Sequence, residues 1–338
     1  MQIEIKTMKN VIEFSIVVPV VNRPNEIEEF LESLSQQTDK NFEVLVLEGH
    51  STLSCADVCA KYSGIINVKY ILNKDVASRS IRRNIGIETA TGNYVLLFDS
   101  DCILPPQYIE TVRKHLTENY VDCFGGYDSA QQSFSILQKA INYSMTSIFT
   151  TGGIRGTTNK TAKFLPRAFN MGFSKEVYEK TGGYDEIIGE DIDLSMRIKE
   201  AGFSVCLIKE TFVYHKRRLT LKKFYKQTYT FGRARIVFSK RHKGTFRLLH
   251  LLPSCFVIGN FSLVLASLIF WNLWFLTPIL LYIITIFVNS LFKNKKLSIS
   301  LLSIVTSYIQ LFGYGLGFLD ELITHRVSKK TAETMYRQ

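Results

Sequence analysis

The sequence predicts an α/β domain with a mostly parallel, Rossmann-like sheet, followed by a C-terminal helical transmembrane region. Two observations predict this fold class. Short apolar runs alternate with amphipathic helical patterns in the first third of the 338-residue chain, as they do in right-handed βαβ units. Beyond Arg247, three long apolar stretches follow, and each is near the length that spans a bilayer.

The predicted elements come in the order expected of a parallel sheet. Residues 14–21 form a first buried strand, and the spacing of Ile27, Phe30, Leu31 and Leu34 then predicts a helix over about 26–37. Further strands are predicted at residues 42–47, 68–72 and 94–98, with a helix at about 78–89 before the last of them. In open α/β sheets, ligands bind at the carboxyl ends of such strands.

Two acidic clusters follow apolar or glycine-containing segments. Asp99 and Asp101 flank Ser100 where the fourth apolar run stops, and the second cluster, Glu190, Asp191 and Asp193, comes about ninety residues later. Paired carboxylates at a strand end suit a hard divalent cation, Mg²⁺ or Mn²⁺, that bridges to phosphates. Considered alone, the first cluster fits a solvated acidic turn equally well, and the second fits helix N-terminal acids stabilised by the macrodipole.

The net charge of +11 is concentrated in one segment. Residues 209–247 contain thirteen Lys or Arg against one acid, so the rest of the chain is nearly neutral. A nucleic-acid interface is one interpretation of such a patch. Because this basic segment directly precedes the apolar region, anionic lipid headgroups and the positive-inside rule explain it more simply. We therefore expect an amphipathic interfacial helix within residues 209–247 and no nucleic-acid partner.

The apolar stretches lie at about residues 251–270, 273–292 and 297–319. Trp271 and Trp274 mark the turn between the first two, as interfacial aromatic residues do. The basic run at residues 293–296 then falls on the same side as the basic segment. The third stretch contains Gln310 and leaves open whether two or three helices cross the membrane, and on which side the C-terminal tail lies. The predicted domains are residues 1–245 and 246–338.

Two features indicate that the soluble domain stays in the cytosol. Residues 1–13 are of mixed charge and contain no long apolar run of the kind found in a signal peptide. The six cysteines are scattered without a Cys-Xaa-Xaa-Cys pair, which fits free thiols in a reducing compartment.

A series of short motifs occurs in a fixed order along the soluble part of the chain. In sequence these are Pro-Val-Val-Asn-Arg at 19–23, Glu-Gly-His-Ser at 48–51, Arg-Asn-Xaa-Gly at 83–86, Thr-Gly-Asn-Tyr at 91–94, Asp-Ser-Asp at 99–101, Asn-Met-Gly-Phe at 170–173, Gly-Gly-Tyr-Asp-Glu at 182–186 and Gly-Glu-Asp-Ile-Asp at 189–193. This series resembles the family 2 glycosyltransferases, which have the GT-A fold, over about residues 12–240. The resemblance implies an inverting enzyme that uses a nucleotide-diphosphate sugar and a divalent cation, Mn²⁺ or Mg²⁺.

The resemblance also implies roles for individual residues. The donor nucleotide would lie against four residues that follow or end the first strand: Pro19, Val21, Asn22 and Arg23. Glu48 stands where the family usually has an Asp that contacts the base, and Gly49-His50 replaces the usual Asp-Gly of that turn.

The reaction centre implied by the resemblance involves the two acidic clusters. Arg83 would lie near the diphosphate, while Asp99 and Ser100 would contact the donor. Asp99 and Asp101 would hold the metal, with His215 approaching the metal or the diphosphate. Asp191 would be the catalytic base, because inversion requires a carboxylate that deprotonates the acceptor hydroxyl.

Together these features predict a membrane-bound enzyme that adds one sugar to a lipid-linked acceptor at the cytosolic face, in cell-surface glycan synthesis. An alternative within this class is a synthase that charges polyprenyl phosphate with a monosaccharide. A nucleotidyltransferase would need a Gly-rich basic loop after the first strand, where this chain has Asn22 to Asn25. A non-catalytic membrane scaffold has only the Gly49-His50 departure in its favour.

Overall fold

The computed structural model describes residues 11–129, 135–152, 164–215 and 220–324. These residues form two compact units. The first unit contains the described residues 11–129 and 164–215, and the second contains residues 135–152 and 220–324.

The elements are numbered in chain order. Those up to residue 151 are β1 Phe14–Val20, α1 Pro24–Ser35, β2 Phe42–Glu48, α2 Ala56–Ser63, β3 Asn67–Leu72, α3 Arg79–Thr89, β4 Tyr94–Leu97, β5 Cys102–Ile103, α4 Tyr108–Glu118, β6 Cys123–Ser129, α5 Ile136–Thr146 and α6 Ile148–Thr151. Those that follow are β7 Met171–Ser174, α7 Lys175–Thr181, α8 Glu190–Glu200, β8 Val205–His215, α9 Leu221–Arg241, α10 Leu252–Ile269, α11 Thr277–Asn294 and α12 Leu297–Thr324. Short 3₁₀ turns, Leu248–Leu251 and Leu273–Leu276, lead into α10 and α11.

The first unit is built on one eight-stranded sheet in the order β3-β2-β1-β4-β7-β6-β8-β5. The strands β1 to β4 run parallel, as the alternation of strands and helices predicted. Beyond β4 the sheet is mixed, because β7 is antiparallel to both of its neighbours and β5 is antiparallel to β8. The short strand expected before His215 is the end of the eleven-residue β8.

Helices cover both faces of this sheet. The strands β1, β2 and β4 are buried along their whole length, which explains why their sequences are predominantly apolar. Alternate residues of β1 point to opposite faces: Ile16 and Val18 pack in one core with Phe30 of α1, and Val17 packs in the other with Ile87 of α3. The helix α1 buries the four apolar residues whose spacing predicted it.

The register of the parallel strands brings three strand ends together. Val20 lies opposite Glu48 at the ends of β1 and β2, and Leu97 of β4 lies opposite Val17 of β1. The residues that follow β1, β2 and β4 therefore share one edge of the sheet, which is the usual ligand edge of such folds.

In the second unit, α12 is the central helix and packs against α5, α9, α10 and α11. Three glycines allow α9 and α12 to approach closely. A Cβ added at Gly313 or Gly317 would overlap atoms of α9, and one at Gly232 would overlap the backbone of α12. The helix expected within residues 209–247 is α9, which packs against α12, and its position at a membrane interface stays a prediction.

Three helical segments of the described residues are long and apolar enough to cross a membrane. They are Leu248–Ile269, Leu273–Asn294 and Leu297–Thr324, and each includes most of one predicted stretch. Only 17% and 11% of the first two are buried within the protein, against 50% of the third. The first two therefore each expose a broad apolar face, whereas most of the third is packed within the protein.

Candidate active site

The loop after β1 is fastened to the loop after β2 by one side chain. Asn22 adopts a left-handed backbone conformation with φ of 56°, which asparagine tolerates better than most residues. Its Oδ1 accepts hydrogen bonds from the backbone N–H groups of Thr52, at 2.6 Å, and Leu53, at 3.0 Å. Pro19 is buried in β1 and Val21 is half-buried just beyond it. The four residues predicted to face the nucleotide thus lie together at the ligand edge.

Glu48, at the end of β2, is completely buried and well supplied with protein donors. Its carboxylate accepts hydrogen bonds from Tyr70 Oη at 2.5 Å, the Cys55 backbone N–H at 3.0 Å and Ser54 Oγ at 3.2 Å. Burial alone would raise the pKa of Glu48, but the hydrogen bonds outweigh it and hold the pKa below its usual value. Glu48 therefore anchors the start of α2, and its predicted contact with the base stays a prediction.

A possible metal site lies directly after β4. Ligand atoms of Asp101, Cys102 and His215 all lie within 4.8 Å of one another. His215 Nε2 is 3.1 Å from Asp101 Oδ1. Cys102 Sγ lies 3.4 Å from the Phe169 carbonyl oxygen, and burial raises the pKa of this thiol far above its usual value. A neutral thiol is a weak ligand, so the effective donors of this cluster are the carboxylate and the imidazole.

Sheet register explains why residues so distant in sequence meet here. In the antiparallel pair of β5 and β8, Cys102 lies opposite His215. That pairing brings the imidazole beside Asp101, and the ring stacks on Phe169 with 4.8 Å between centroids. The imidazole of His215 is therefore held in position from two sides.

The two acidic clusters are joined by a buried guanidinium. Arg83 Nη2 donates to Asp99 Oδ1 at 2.6 Å, and its Nη1 donates to Glu190 Oε1 at 2.8 Å. Arg79, one turn earlier on α3, also donates to Glu190 Oε1 at 2.6 Å. Burial would raise the pKa of Glu190, but the charges of Arg79 and Arg83 outweigh it and keep the carboxylate ionised.

Asp191 lies in the first turn of α8, as predicted from the sequence. The turn begins at Gly189, whose φ of 71° suits glycine. Asp191 Oδ1 accepts a hydrogen bond from the Ile192 N–H at 2.8 Å, and its Oδ2 lies 3.2 Å from Arg167 Nε. The carboxylate is only partly buried, with 19% of the side chain exposed, so it keeps contact with solvent.

Comparison with known proteins identifies the family. Residues 15–182 match the model described as glycosyl transferase family 2. The chain belongs to this family.

The chain is similar in sequence to a succinoglycan biosynthesis protein and to a glycosyltransferase of two bacteria. The chain is 26% identical to the succinoglycan biosynthesis protein ExoA of Rhizobium meliloti over 74% of this chain and 77% of that protein. It is 32% identical to the glycosyltransferase GlyA of Streptococcus pneumoniae over 36% of this chain, a match that spans only 18% of GlyA.

A solved structure supports the fold. The mannosyltransferase PcManGT from Pyrobaculum calidifontis, solved in complex with GDP-Man and Mn²⁺, aligns with a TM-score of 0.63 at 14% sequence identity, covering 89% of this chain and 88% of that one. The fold of this glycosyltransferase is therefore GT-A-like, with apolar helices at its C-terminal end.

Several residues of the glycosyltransferase site were missed by sequence analysis. Glu26 Oε2 accepts hydrogen bonds from Arg23 Nη1 at 2.9 Å and from Ser100 Oγ at 3.0 Å, which ties α1 to the acidic cluster. Arg79 could have been found, because it lies four residues before Arg83 on a predicted helix. No local signal identifies Arg167 or Cys102. Arg217 and Arg218, which follow His215 in the sequence and would suit either a diphosphate or lipid headgroups, lie outside the described residues.

Proposed function

We propose that this glycosyltransferase is an inverting, metal-dependent enzyme that moves one sugar from a nucleotide-diphosphate sugar to a lipid-linked acceptor at the cytosolic face of the membrane. The observation that carries the proposal is the pairing of the two acidic clusters through Arg83. This pairing brings a possible metal site and a possible general base to the same end of one sheet. The base would deprotonate the acceptor hydroxyl, and the metal would stabilise the diphosphate leaving group.

The cluster after β4 fits a divalent cation. Asp101 supplies a carboxylate oxygen and His215 an imidazole nitrogen, a donor set that suits Mn²⁺, and the carboxylate also suits Mg²⁺. Asp99 lies beside them in sequence and is a quarter exposed, so a cation or a diphosphate can reach it. When bound, the metal would neutralise negative charge on the diphosphate leaving group.

Protein side chains would provide the other functions. Arg79 keeps 36% of its side chain exposed, so it is the cation of the Arg83 network that a diphosphate can reach. Asp191 would accept the proton of the acceptor hydroxyl, and Arg167 would hold its carboxylate in place. The side chain of Arg83 is 1% exposed, and its two Nη groups pair with the carboxylates of Asp99 and Glu190. We therefore assign Arg83 the role of positioning these two carboxylates.

The donor and acceptor are inferred from different features. A nucleotide-sugar donor is supported by family membership and by PcManGT, which was solved with GDP-Man and Mn²⁺. A lipid-linked acceptor in cell-surface glycan synthesis is supported by the apolar helices and by the similarity to ExoA, a succinoglycan biosynthesis protein. An enzyme with a soluble acceptor would not require such a membrane region.

The test is a screen of nucleotide-sugars against the purified full chain in detergent, with and without Mn²⁺. We expect one donor to be hydrolysed slowly, to raise the melting temperature in a metal-dependent way, and to be transferred to lipid extract. The control for variants of the acidic residues Asp101 and Asp191 is Asp185→Asn. Asp185 is an exposed acid that lies 3.9 Å from Arg197 and outside the proposed site. If no nucleotide-sugar is bound or hydrolysed while the protein remains folded, the proposal is wrong.

The lipid product distinguishes the proposed reaction from its alternative. Transfer to a lipid-linked glycan gives a product one sugar larger than its acceptor. A polyprenyl-phosphate monosaccharide synthase would instead give a single sugar on polyprenyl phosphate, which mass spectrometry separates from the first product.

A further inference from the structure

Helix α12 has the hydropathy of a third membrane span, but its packing differs from that of the other two. Its polar contacts with α10 and α11 lie close to the ends that face away from their connecting turn, while Phe312 and Tyr308 also contact Phe261 and Tyr282 farther along the two helices. Ser254 Oγ, in the first turn of α10, donates to the Gly315 carbonyl at 3.2 Å. Near the end of α11, Ser290 Oγ lies 2.8 Å from Ser303 Oγ.

The turn that connects α10 to α11 projects away from these contacts. Trp271 and Trp274, within the turn, are 95% and 80% exposed. The helices α10 and α11 each contain 18 residues, which corresponds to about 27 Å of helix. Together with their flanking 3₁₀ turns, they match a hydrocarbon core of about 30 Å. These two helices therefore have the form of a hairpin that crosses the bilayer, with the tryptophans at its far end.

The charges on α9 are incompatible with a third crossing by α12. Helix α9 lies along the second half of α12: Thr228 Oγ1 is 3.3 Å from the Ile309 carbonyl, and Arg233 Nη2 is 3.1 Å from Glu321 Oε2. If α12 crossed the membrane from Leu297, Ile309 and Gly313 would lie about 18 and 24 Å from its start, within the hydrocarbon.

The same crossing would carry exposed lysines to that depth. Lys222, Lys223 and Lys226 are exposed on α9. They lie within about one turn of Tyr225 and Thr228, the residues that a Cβ at Gly313 would meet. Charged side chains exposed to the middle of a bilayer are strongly disfavoured. A position of α9 and α12 in the headgroup region avoids this, because the lysines then face anionic lipid and water.

The surface of α12 agrees with such a position. Leu297, Leu301 and Val305, spaced four residues apart, form an exposed apolar stripe over its first half. The polar Ser300, Ser303 and Ser307 are fully buried. A helix in the membrane plane contacts acyl chains along one face only, whereas a spanning helix at the edge of a bundle exposes a wider apolar surface.

We infer that α10 and α11 form a two-span hairpin and that α12, together with α9, lies in the plane of the membrane surface on the side from which the chain enters α10. The C-terminal tail, with Arg326, Lys329 and Lys330, is then on the same side as the basic run at residues 293–296. This arrangement satisfies the positive-inside rule at every connection, which three crossings would not.

The test compares two positions in the full chain, in membrane vesicles of known orientation. In a background with Cys255→Ala, single Lys296→Cys and Gln338→Cys variants are treated with a membrane-impermeant maleimide. We expect both positions to be labelled from the same side, and Trp271→Cys to be labelled from the other. Labelling of residues 296 and 338 from opposite sides would show that α12 crosses and would overturn the inference.

A second measurement does not depend on cysteine substitutions. Reporter fusions after residue 338, one active only in the cytosol and one only outside it, are compared with the same reporters inserted after residue 296. Activity of the same reporter at both positions is the expected result. Activity of different reporters at the two positions would contradict the in-plane helix, whatever the function of the enzyme.

Discussion

Replacing Arg83 by Met should lower the free energy of unfolding of the first unit and change the exposed surface of the site little. The guanidinium is 1% exposed and pairs with Glu190, which is 3% exposed, and with the more exposed Asp99. Removal of one partner of a buried ion pair costs about 3–5 kcal/mol. Arg79 still donates to Glu190 at 2.6 Å, and Asp99 can recover water, so we expect a loss near the lower end, about 3 kcal/mol.

The assay is thermal unfolding of the purified full chain, read by a probe in the first unit. For a folding unit of 150–250 residues, about 3 kcal/mol corresponds to a fall in melting temperature of roughly 6–12 °C. The matched variant Arg83→Lys keeps the charge but cannot reach both carboxylates, so its melting temperature should fall less. In a Glu190→Gln background the Arg83→Met change should cost much less, because no ionised carboxylate remains buried beside it.

The pH dependence gives a further check on this reasoning. In the wild type, the lowered pKa of Glu190 contributes stability that is present above its unfolded value of about 4.5 and is lost only as the pH falls toward 2. In Arg83→Met the pKa of Glu190 should rise toward its unfolded value, because the carboxylate loses the charge of Arg83 and keeps that of Arg79. The free energies of unfolding of the variant and the wild type should therefore differ most above about pH 4.5, and the difference should narrow as the pH falls toward 2. Two results would refute the role given to the Arg83–Glu190 pair. One is a difference in the free energy of unfolding between variant and wild type that does not change with pH. The other is an equal fall in melting temperature when Arg83→Met is made in the wild-type and in the Glu190→Gln background.

The remaining predictions concern the reaction and the helix packing. Asp101→Ala should abolish transfer without lowering the melting temperature, and transfer that survives both this change and a chelator would exclude a metal at this site. Asp191→Asn should lower the transfer rate by about 10²–10⁴-fold while donor affinity stays close to wild type, as measured by donor titration against initial rates. A rate within twofold of wild type would mean that another group is the base. Gly232→Leu should lower the melting temperature of the second unit, because the new side chain would overlap the backbone at Tyr314 and Phe318, and overpacking costs about 1–3 kcal/mol. Its control is Gly259→Leu on α10, where a Cβ meets open space.

The first half of the sheet could be predicted from the sequence, whereas the second half could not. The strands β1, β2 and β4 are fully buried, so each appears in the sequence as a predominantly apolar run. The strand β6 has the sequence Cys-Phe-Gly-Gly-Tyr-Asp-Ser, which carries no such signal. Its place in the sheet comes from pairing with β7 and β8, partners that are distant along the chain.

Part of the candidate site could likewise be predicted from the sequence, and part of it could not. The motifs predicted which carboxylates lie at the ligand edge, because a strand end fixes the position of the residues that follow it. They could not predict how those carboxylates are neutralised. The contact of Arg83 with Glu190 joins residues 107 positions apart, and the contact of His215 with Asp101 depends on the register of a two-residue strand. Such contacts follow from the tertiary fold and leave no periodic pattern in the sequence.

The internal pairing of the site also limits which groups can contact substrates. Arg83 and Glu48 are buried and already bonded to protein groups, so neither gains a new partner without losing an old one. Among the charged groups that keep exposed surface are Arg23, Arg79, Asp99 and Asp191. Arg23 Nη1 lies 3.7 Å from Asp101 Oδ2, so a cation at Asp101 would compete with it and could free the guanidinium for a phosphate. We therefore expect Arg23 and Arg79 to make the diphosphate contacts, while Arg83 and Glu48 hold the framework around them.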